Sequence, residues 1–489
     1  DSIEYYRKAL EADPQYASAR SNMLFYLNYL EDTSLEDLFK EHREWDIWHT
    51  EPLPRHSCVH ANDPDPKRRL RIGYVSADLF GHAVSYFIEG ALKHHNKDAV
   101  EVFCYANVTT PDLITKRLKS YVDHWQYITK MSSKEVATQI REDEIDILID
   151  LGGHTAGHRL DVFALKPAPI QVTWIGYPNT TGLDAIDYRF VDNITDPVGE
   201  ADTYHSETLW RLPESFTCYT PQSALEVEES LAAISTGQVT FGSFNNATKI
   251  SRCSVRVWAE ILKKAKGSRL VLKSASLGDK KTQDRIWAQF KEFGVPKGRV
   301  EMIGKLPSDK HMRMYDEIDI ALDPFPYNGT TTSCEALFMG SPIIALLGDR
   351  HASRVTASLL TQVGLGDLAA ANEDEYVEKA VALANDLDRL QDIRKNLRPN
   401  MLNSPLCDAV RHTRSVEEAY REMWKIWCTD EPHRRKQRRK AGFSETTPHR
   451  PVIRLVHALG NLSFTQFTQC LGSMENMCMF SDMHPLGMK

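Results

Sequence analysis

The chain has 489 residues, 42% of them hydrophobic and 26% charged, the composition of an ordinary globular protein with room for two or three domains, so disorder cannot dominate it. Its formal net charge of −8 argues against a general nucleic-acid binder, whose affinity comes from clustered Lys and Arg. No apolar run reaches the roughly 20 residues that span a bilayer, and Asp1-Ser2-Ile3-Glu4 is no signal peptide, so a cytoplasmic protein without membrane contact is expected.

The chain opens in helical grammar. Ala9, Leu10, Asp13-Pro14, Ala17-Ser18-Ala19 and Leu24 read as the end of a tetratricopeptide repeat passing into another helix. A single remnant cannot bury its own face, so it either continues an array upstream or docks onto the next domain. An amphipathic helix over residues 32 to 50 follows, carrying Leu35, Leu38, Phe39, Trp45 and Trp48, whose aromatics read as packing. Pro52, Pro54 and Asn62-Asp63-Pro64-Asp65-Pro66 mark a linker, and residues 1–60 form this helical segment.

From Leu70 the grammar changes. Buried strands at 71–76, 99–105, 145–151 and 170–175 alternate with helical stretches, which implies a parallel sheet covered on both faces over residues 68–215. A second series at 239–243, 270–272, 300–303, 320–322 and 343–346 defines another such domain over 236–405. The fold class is α/β, with two doubly wound, Rossmann-like domains facing a cleft and a helical segment in front. Ligands of open parallel sheets sit beyond the carboxyl ends of the strands, so the loops there are the candidates for chemistry. After the first strand come Gly81-His82, and after the third come Gly152-Gly153-His154. A histidine at either place can exchange protons or hold a hydroxyl; it can equally cap a helix. The loop Gly176-Tyr177-Pro178-Asn179-Thr180-Thr181-Gly182 suits sugar or peptide groups, or a turn held by its own side chains.

In the second domain Asn245-Asn246-Ala247-Thr248-Lys249 follows a strand and offers an ammonium group to a diphosphate. The most informative stretch is Ile318 to Met339, a strand ending at Asp323-Pro324, an irregular turn through Asn328-Gly329, and a helix that stops at Gly340. Amides at a helix N-terminus lack partners and carry partial positive charge, so Gly329 to Ser333 is expected to hold a phosphate, with the hydroxyls of Thr330, Thr331 and Thr332 adding donors. The plainer reading is a capping box between Thr332 and Glu335. Neither an ATP-type Gly-Lys-Ser/Thr loop nor a Gly-x-Gly-x-x-Gly fingerprint is present, which counts against a dinucleotide-dependent oxidoreductase. Gly348 to Arg354 adds cations to the same rim, Arg354 among them. Nine cysteines without paired close spacing fit reduced thiols rather than disulfides or zinc, and Cys334 reads as core packing. A closing helix over 406–428 carries Val416, Tyr420, Trp424 and Trp427; residues 429–489, with the basic run Glu431 to Lys440, are expected to be a tail of low order.

The block from Arg69 to Trp427 resembles the catalytic region of the intracellular protein O-glycosyltransferases, the group of O-GlcNAc transferases and SPINDLY-type O-fucosyltransferases. The resemblance is carried by Pro167-Ala168-Pro169-Ile170-Gln171, by Gly176 to Gly182, by Phe241-Gly242-Ser243-Phe244-Asn245-Asn246, and by Pro326-Tyr327-Asn328-Gly329-Thr330-Thr331-Thr332. It implies a GT-B fold and inverting transfer from a nucleotide sugar to Ser or Thr hydroxyls of acceptor proteins, without cofactor or metal. By position it implies Lys249, His82 and His154 as catalytic residues, and Asn246, His311, Thr331, Thr332 and Glu335 as ligands of the nucleotide sugar, to which the reading of the helix start and the cationic rim adds Gly329, Thr330 and Arg354. Ser308 stands where animal members have a lysine, and Arg141 and His154 follow the SPINDLY pattern. The expected donor is UDP-GlcNAc, with GDP-fucose as the alternative; a catalytically inactive tetratricopeptide-linked binding module is the alternative of another class. Oligomerisation through upstream repeats is a further expectation.

Overall fold

The computed structural model describes residues 2–50 and 60–440, with side chains to Thr429. Three helices come first, α1 (Ser2–Ala12), α2 (Ala17–Leu27) and α3 (Leu35–His49). Their apolar faces do not stand alone. Leu10, Met23, Leu24, Leu38 and Trp45 join one buried cluster with Val75, Tyr105, Val136 and Leu148 of the first domain, so the segment docks onto the domain that follows.

The first sheet contains β1 (Leu70–Ser76), β2 (Val100–Ala106), β3 (His124–Tyr127), β4 (Ile147–Asp150), β5 (Ile170–Thr173), β6 (Tyr188–Asp192) and β7 (Thr208–Leu212). Its strands lie in the order β3-β2-β1-β4-β5-β6-β7, and every neighbouring pair is parallel. Helix α4 (Ala83–His94) leaves the end of β1. The second sheet contains β8 (Thr240–Ser243), β9 (Arg269–Lys273), β10 (Val300–Ile303), β11 (Ile320–Leu322), β12 (Ile343–Leu346) and β13 (Ala369–Ala370), in the order β10-β9-β8-β11-β12-β13, again all parallel. Its helices include α5 (Arg252–Lys264), α6 (Ser308–Arg313) and α7 (Thr331–Phe338).

Helix α8 (Ala409–Lys440) closes the fold. It returns to the first domain, where Val416, Tyr420, Met423 and Trp424 enter the core of the first sheet and the Trp424 indole donates to the carbonyl of Asp65 at 3.0 Å. The helix continues through the basic run that the sequence assigns to the tail; residues 441–489 of that tail lie outside the described residues. In each sheet the strand order reverses once, between β1 and β4 and between β8 and β11. Reversal opens a crevice at the carboxyl ends of those strands; His82, His154, Asn246, Lys249 and Gly329 to Glu335 follow these four strands, whereas His311 follows β10 and Arg354 follows β12.

Candidate active site

The second crevice is built around one carboxylate. Asp323, immediately after β11, is buried and accepts the amide of Gly329 at 2.8 Å through Oδ1, which bends the chain into the start of α7. A Cβ at Gly329 would run into Ser333 Oγ and come within 2.8 Å of Thr332 Oγ1 and 3.0 Å of Asp323 Oδ1, so the turn requires glycine. The Gly329 amide is therefore spent on Asp323, which corrects the expectation that it binds phosphate. The next four amides, of Thr330, Thr331, Thr332 and Ser333, have no acceptor among the described residues; the first amide bonded back into the turn is Cys334, to Thr330 O at 3.0 Å. Together they present the positive end of the α7 dipole. Thr332 Oγ1 donates to Asn245 Oδ1 at 2.9 Å, tying the loop after β8 to this helix start.

Lys249 closes the cradle from the β8 side. Its Nζ donates to the carbonyl of Asn328 at 2.6 Å, one residue before Gly329, and stands over the Tyr327 ring at 4.1 Å from the centroid. Burial pulls this lysine down to about 8, against the pull of the Asp323 charge, which holds its proton on. Burial likewise raises the Asp323 carboxyl to about 7, with the Gly329 amide, Thr356 and Lys249 opposing. The ammonium group on the loop after β8 thus meets the loop after β11 that carries the unpaired amides.

Three further side chains form a line across β9, α6 and α7. Lys273 Nζ lies 2.8 Å from His311 Nδ1, and His311 Nε2 lies 3.0 Å from Glu335 Oε2. The capping-box reading of Glu335 is corrected here: α7 has Thr330 as its N-cap, without a side-chain cap bond, and the Glu335 carboxylate faces His311. Desolvation lowers the Lys273 pKa while the Glu335 charge raises it. Lys273 escaped sequence reading because it is the last residue of its strand, just after the apolar run Leu270-Val271-Leu272, and belongs to no motif. Asn246 is exposed, and its Oδ1 accepts the Thr248 amide at 3.2 Å to cap the short turn that carries Lys249.

The two histidines of the first domain separate sharply. His82 is the N-cap of α4, with Nδ1 accepting the Val84 amide at 3.3 Å and standing 3.7 Å from Asp78 Oδ1, and its side chain is 42% exposed. With Nδ1 an acceptor, the proton sits on Nε2, which has no partner among the described residues and is a donor for an incoming hydroxyl. His82 becomes a base only if Nδ1 turns its proton to Asp78, whose carboxyl burial pushes up. His154 is 1% exposed, with Nδ1 at 3.2 Å from Ser21 Oγ and Nε2 at 2.8 Å from Thr181 O. Both nitrogens are occupied, and burial, helped by neighbouring His42 and His158, drives its pKa far below the usual range. His154 is a neutral bridge between α2 and the Thr181 loop, not a base. Arg354 is also elsewhere: its guanidinium binds Ile194 O at 2.6 Å and Gly348 O at 2.8 Å, and it lines a separate cavity of about 220 Å³ with Asp196, His205 and His351.

Two parallel-sheet domains with an anion cradle at the switch point define the GT-B class of fold. Residues 46–226 and 220–416 match the model of glycosyl transferase family 41, and the chain belongs to that family. It is 43% identical over 424 residues to the "Probable UDP-N-acetylglucosamine--peptide N-acetylglucosaminyltransferase SPINDLY" of Petunia hybrida, across 86% of this chain and 45% of that protein. It is 34% identical to the relative of the same enzyme name called SEC from Arabidopsis thaliana, over 376 residues, 74% of this chain and 38% of that one. A solved mutant of the Thermobaculum terrenum O-GlcNAc transferase superposes with a TM-score of 0.81 at 35% identity, covering 88% of this chain and 81% of that one. The chain spans less than half the length of these two curated relatives. Among the described residues no helix is long and apolar enough to cross a membrane.

Proposed function

We propose that this chain transfers GlcNAc from UDP-GlcNAc to Ser and Thr hydroxyls of proteins, with inversion at the anomeric carbon and without a metal. One observation carries the reading: the Lys249 ammonium touches the Asn328 carbonyl at the mouth of four consecutive amides that have no acceptor among the described residues. As the acceptor oxygen attacks, the bond to the diphosphate lengthens and negative charge grows on the leaving oxygens. Donors already aimed at that charge need not reorganise, and each contributes about 3 kcal/mol by comparison with oxyanion-hole residues. Lys249 and the α7 N-terminus do this here. With the ring turned so that Nδ1 gives its proton toward Asp78 Oδ1, 3.7 Å away, His82 Nε2 accepts the proton of the acceptor hydroxyl as the new bond forms, leaving an imidazolium beside the Asp78 carboxyl group. His311 and Glu335, braced by Lys273, hold the nucleoside. Acceptor proteins and the nucleotide sugar are the partners this chemistry needs.

The enzyme names of the two plant relatives support the GlcNAc donor. Ser308, which opens α6 close to His311, stands in place of the lysine of the animal enzymes and supports GDP-fucose as the second reading. Purified protein is incubated with either donor and a Ser/Thr-containing protein substrate, and released nucleotide and labelled product are measured. UDP release with GlcNAc on the product is expected, and Lys249→Ala lowers it by about 10² to 10³-fold while the melting temperature holds. GDP release with fucose on the product overturns the donor assignment; no release above background from either donor returns the chain to the binding-module reading.

A further inference from the structure

The N-terminal helices approach the catalytic lysine itself. Tyr29, just after α2, stacks on Tyr327 with ring centroids 4.7 Å apart and planes 24° from parallel. The same Tyr327 ring carries the Lys249 ammonium at 4.1 Å. Tyr29 also interacts through its side chain with Thr248, the residue before Lys249. Around this stack the turn between α2 and α3 holds both domains. Asn28 Nδ2 donates to the Tyr177 hydroxyl at 3.0 Å, and the Asn179 amide donates to Asn28 Oδ1 at 2.9 Å on the first-domain side. Glu31 Oε1 accepts the Cys253 amide at the start of α5, at 3.0 Å, and the Thr33 carbonyl accepts from Arg350 at 2.8 Å, both on the second-domain side.

We propose that Tyr29 is a positioning residue for the transfer reaction, holding the Tyr327 ring so that Lys249 is set at the mouth of the amide cradle and shielded from water. The proposal rests on the glycosyltransferase reading above. The geometry supports it in two ways. A cation over an aromatic face is held best when the ring is fixed and dry, and Tyr29 makes the stacked contact with the Tyr327 ring, with Phe25 packed at a tilt beside it at 6.3 Å. A flexible lysine side chain displaced by about 1 Å loses up to a hundredfold in rate without any loss of substrate affinity. The groups that face the ammonium are Asp323 and Tyr327 of the β11–α7 loop, with Tyr29 beyond Tyr327 from the N-terminal helices. The consequence is that the helical segment is part of the catalytic centre, so that any load on it reaches the lysine.

The test compares Tyr29→Leu, which keeps apolar bulk and removes the ring, with Tyr29→Phe, which keeps the ring. Steady-state kinetics with the nucleotide sugar are measured across pH 6 to 10, beside a melting curve for each protein. The expected result is a loss of about tenfold or more in kcat for Tyr29→Leu, with KM for the donor changed less than threefold. The alkaline fall in rate moves to higher pH in that variant, as water reaches the ammonium, and Tyr29→Phe recovers both kcat and the position of the fall. An unmoved alkaline limb in Tyr29→Leu, or a Tyr29→Phe protein no better than Tyr29→Leu, overturns the proposal. If Lys249→Ala turns over normally, the function reading has failed; if Lys249→Ala is dead and Tyr29→Leu is normal, only this inference has failed.

Discussion

Asp323 offers the sharpest test of how Lys249 works, because it touches no substrate in the proposed reaction and acts on the ammonium through charge. Lys249 is held near 8 by burial, with Asp323 keeping it from falling further. Transfer needs the charged form, so turnover is level below about pH 8 and falls about tenfold per unit above it, reaching roughly a tenth at pH 9. Asp323→Asn keeps an oxygen for the Gly329 amide but removes the charge. A unit charge several ångströms away in an effective dielectric near 20 is worth on the order of 2 to 3 kcal/mol. Rearrangement of neighbouring dipoles offsets part of this, so the alkaline limb moves down by about one pH unit, or about 1.4 kcal/mol. The assay is nucleotide release across pH 6 to 10 for parent and variant. Stability runs the other way, which separates the two effects. The unfolded chain holds more protons than the folded one between about 8 and 10.5 at this site, so Lys249's contribution to stability rises with pH across that window. A limb that stays put or moves up in Asp323→Asn refutes the coupling.

The remaining predictions concern neighbouring side chains. His154→Ala leaves Ser21 and the Thr181 carbonyl without their shared partner and opens a cavity, costing about 2 to 4 kcal/mol of stability; calorimetry shows the lower melting point, while turnover of the folded protein stays within threefold. A hundredfold loss in kcat without destabilisation would restore His154 to the chemistry. Glu335→Gln weakens the hold on the nucleoside, raising KM for the donor about tenfold with kcat within threefold; the opposite pattern would move Glu335 to the reacting centre. Gly329→Ala drives a methyl into Ser333 and Thr332, and nucleotide binding measured by titration falls below detection.

Much of this architecture was legible in the residues because strands buried on both faces spell themselves out as apolar runs. β1, β2, β4, β5 and β8 to β12 lie within a few residues of where the apolar runs place them. Three strands of the first sheet were not legible, for a physical reason. β3 reads His-Trp-Gln-Tyr and is mostly exposed at the sheet edge, β7 is the opposite edge, and β6 mixes Arg189 and Asp192 into its run. The cradle was readable from the threonines and Lys249 because a helix start after a strand is a local feature. What Gly329, Glu335 and His154 do was not, because each is fixed by a partner that no local pattern names: Gly329 by the Asp323 carboxylate across the turn, Glu335 by His311 on another helix, and His154 by Ser21 of the N-terminal segment. Tyr29 gave no signal at all, since nothing in residues 24 to 33 announces contact with a loop three hundred positions later.

The account stands on where the diphosphate binds, and a crystal structure of the chain with UDP measures that directly. Density for both phosphates within hydrogen-bonding distance of the Lys249 ammonium and of the amides of Thr330 to Ser333, with the base beside His311, is the predicted result. A diphosphate bound instead in the cavity lined by Asp196, His351 and Arg354, with Lys249 still resting only on the Asn328 carbonyl, would contradict it.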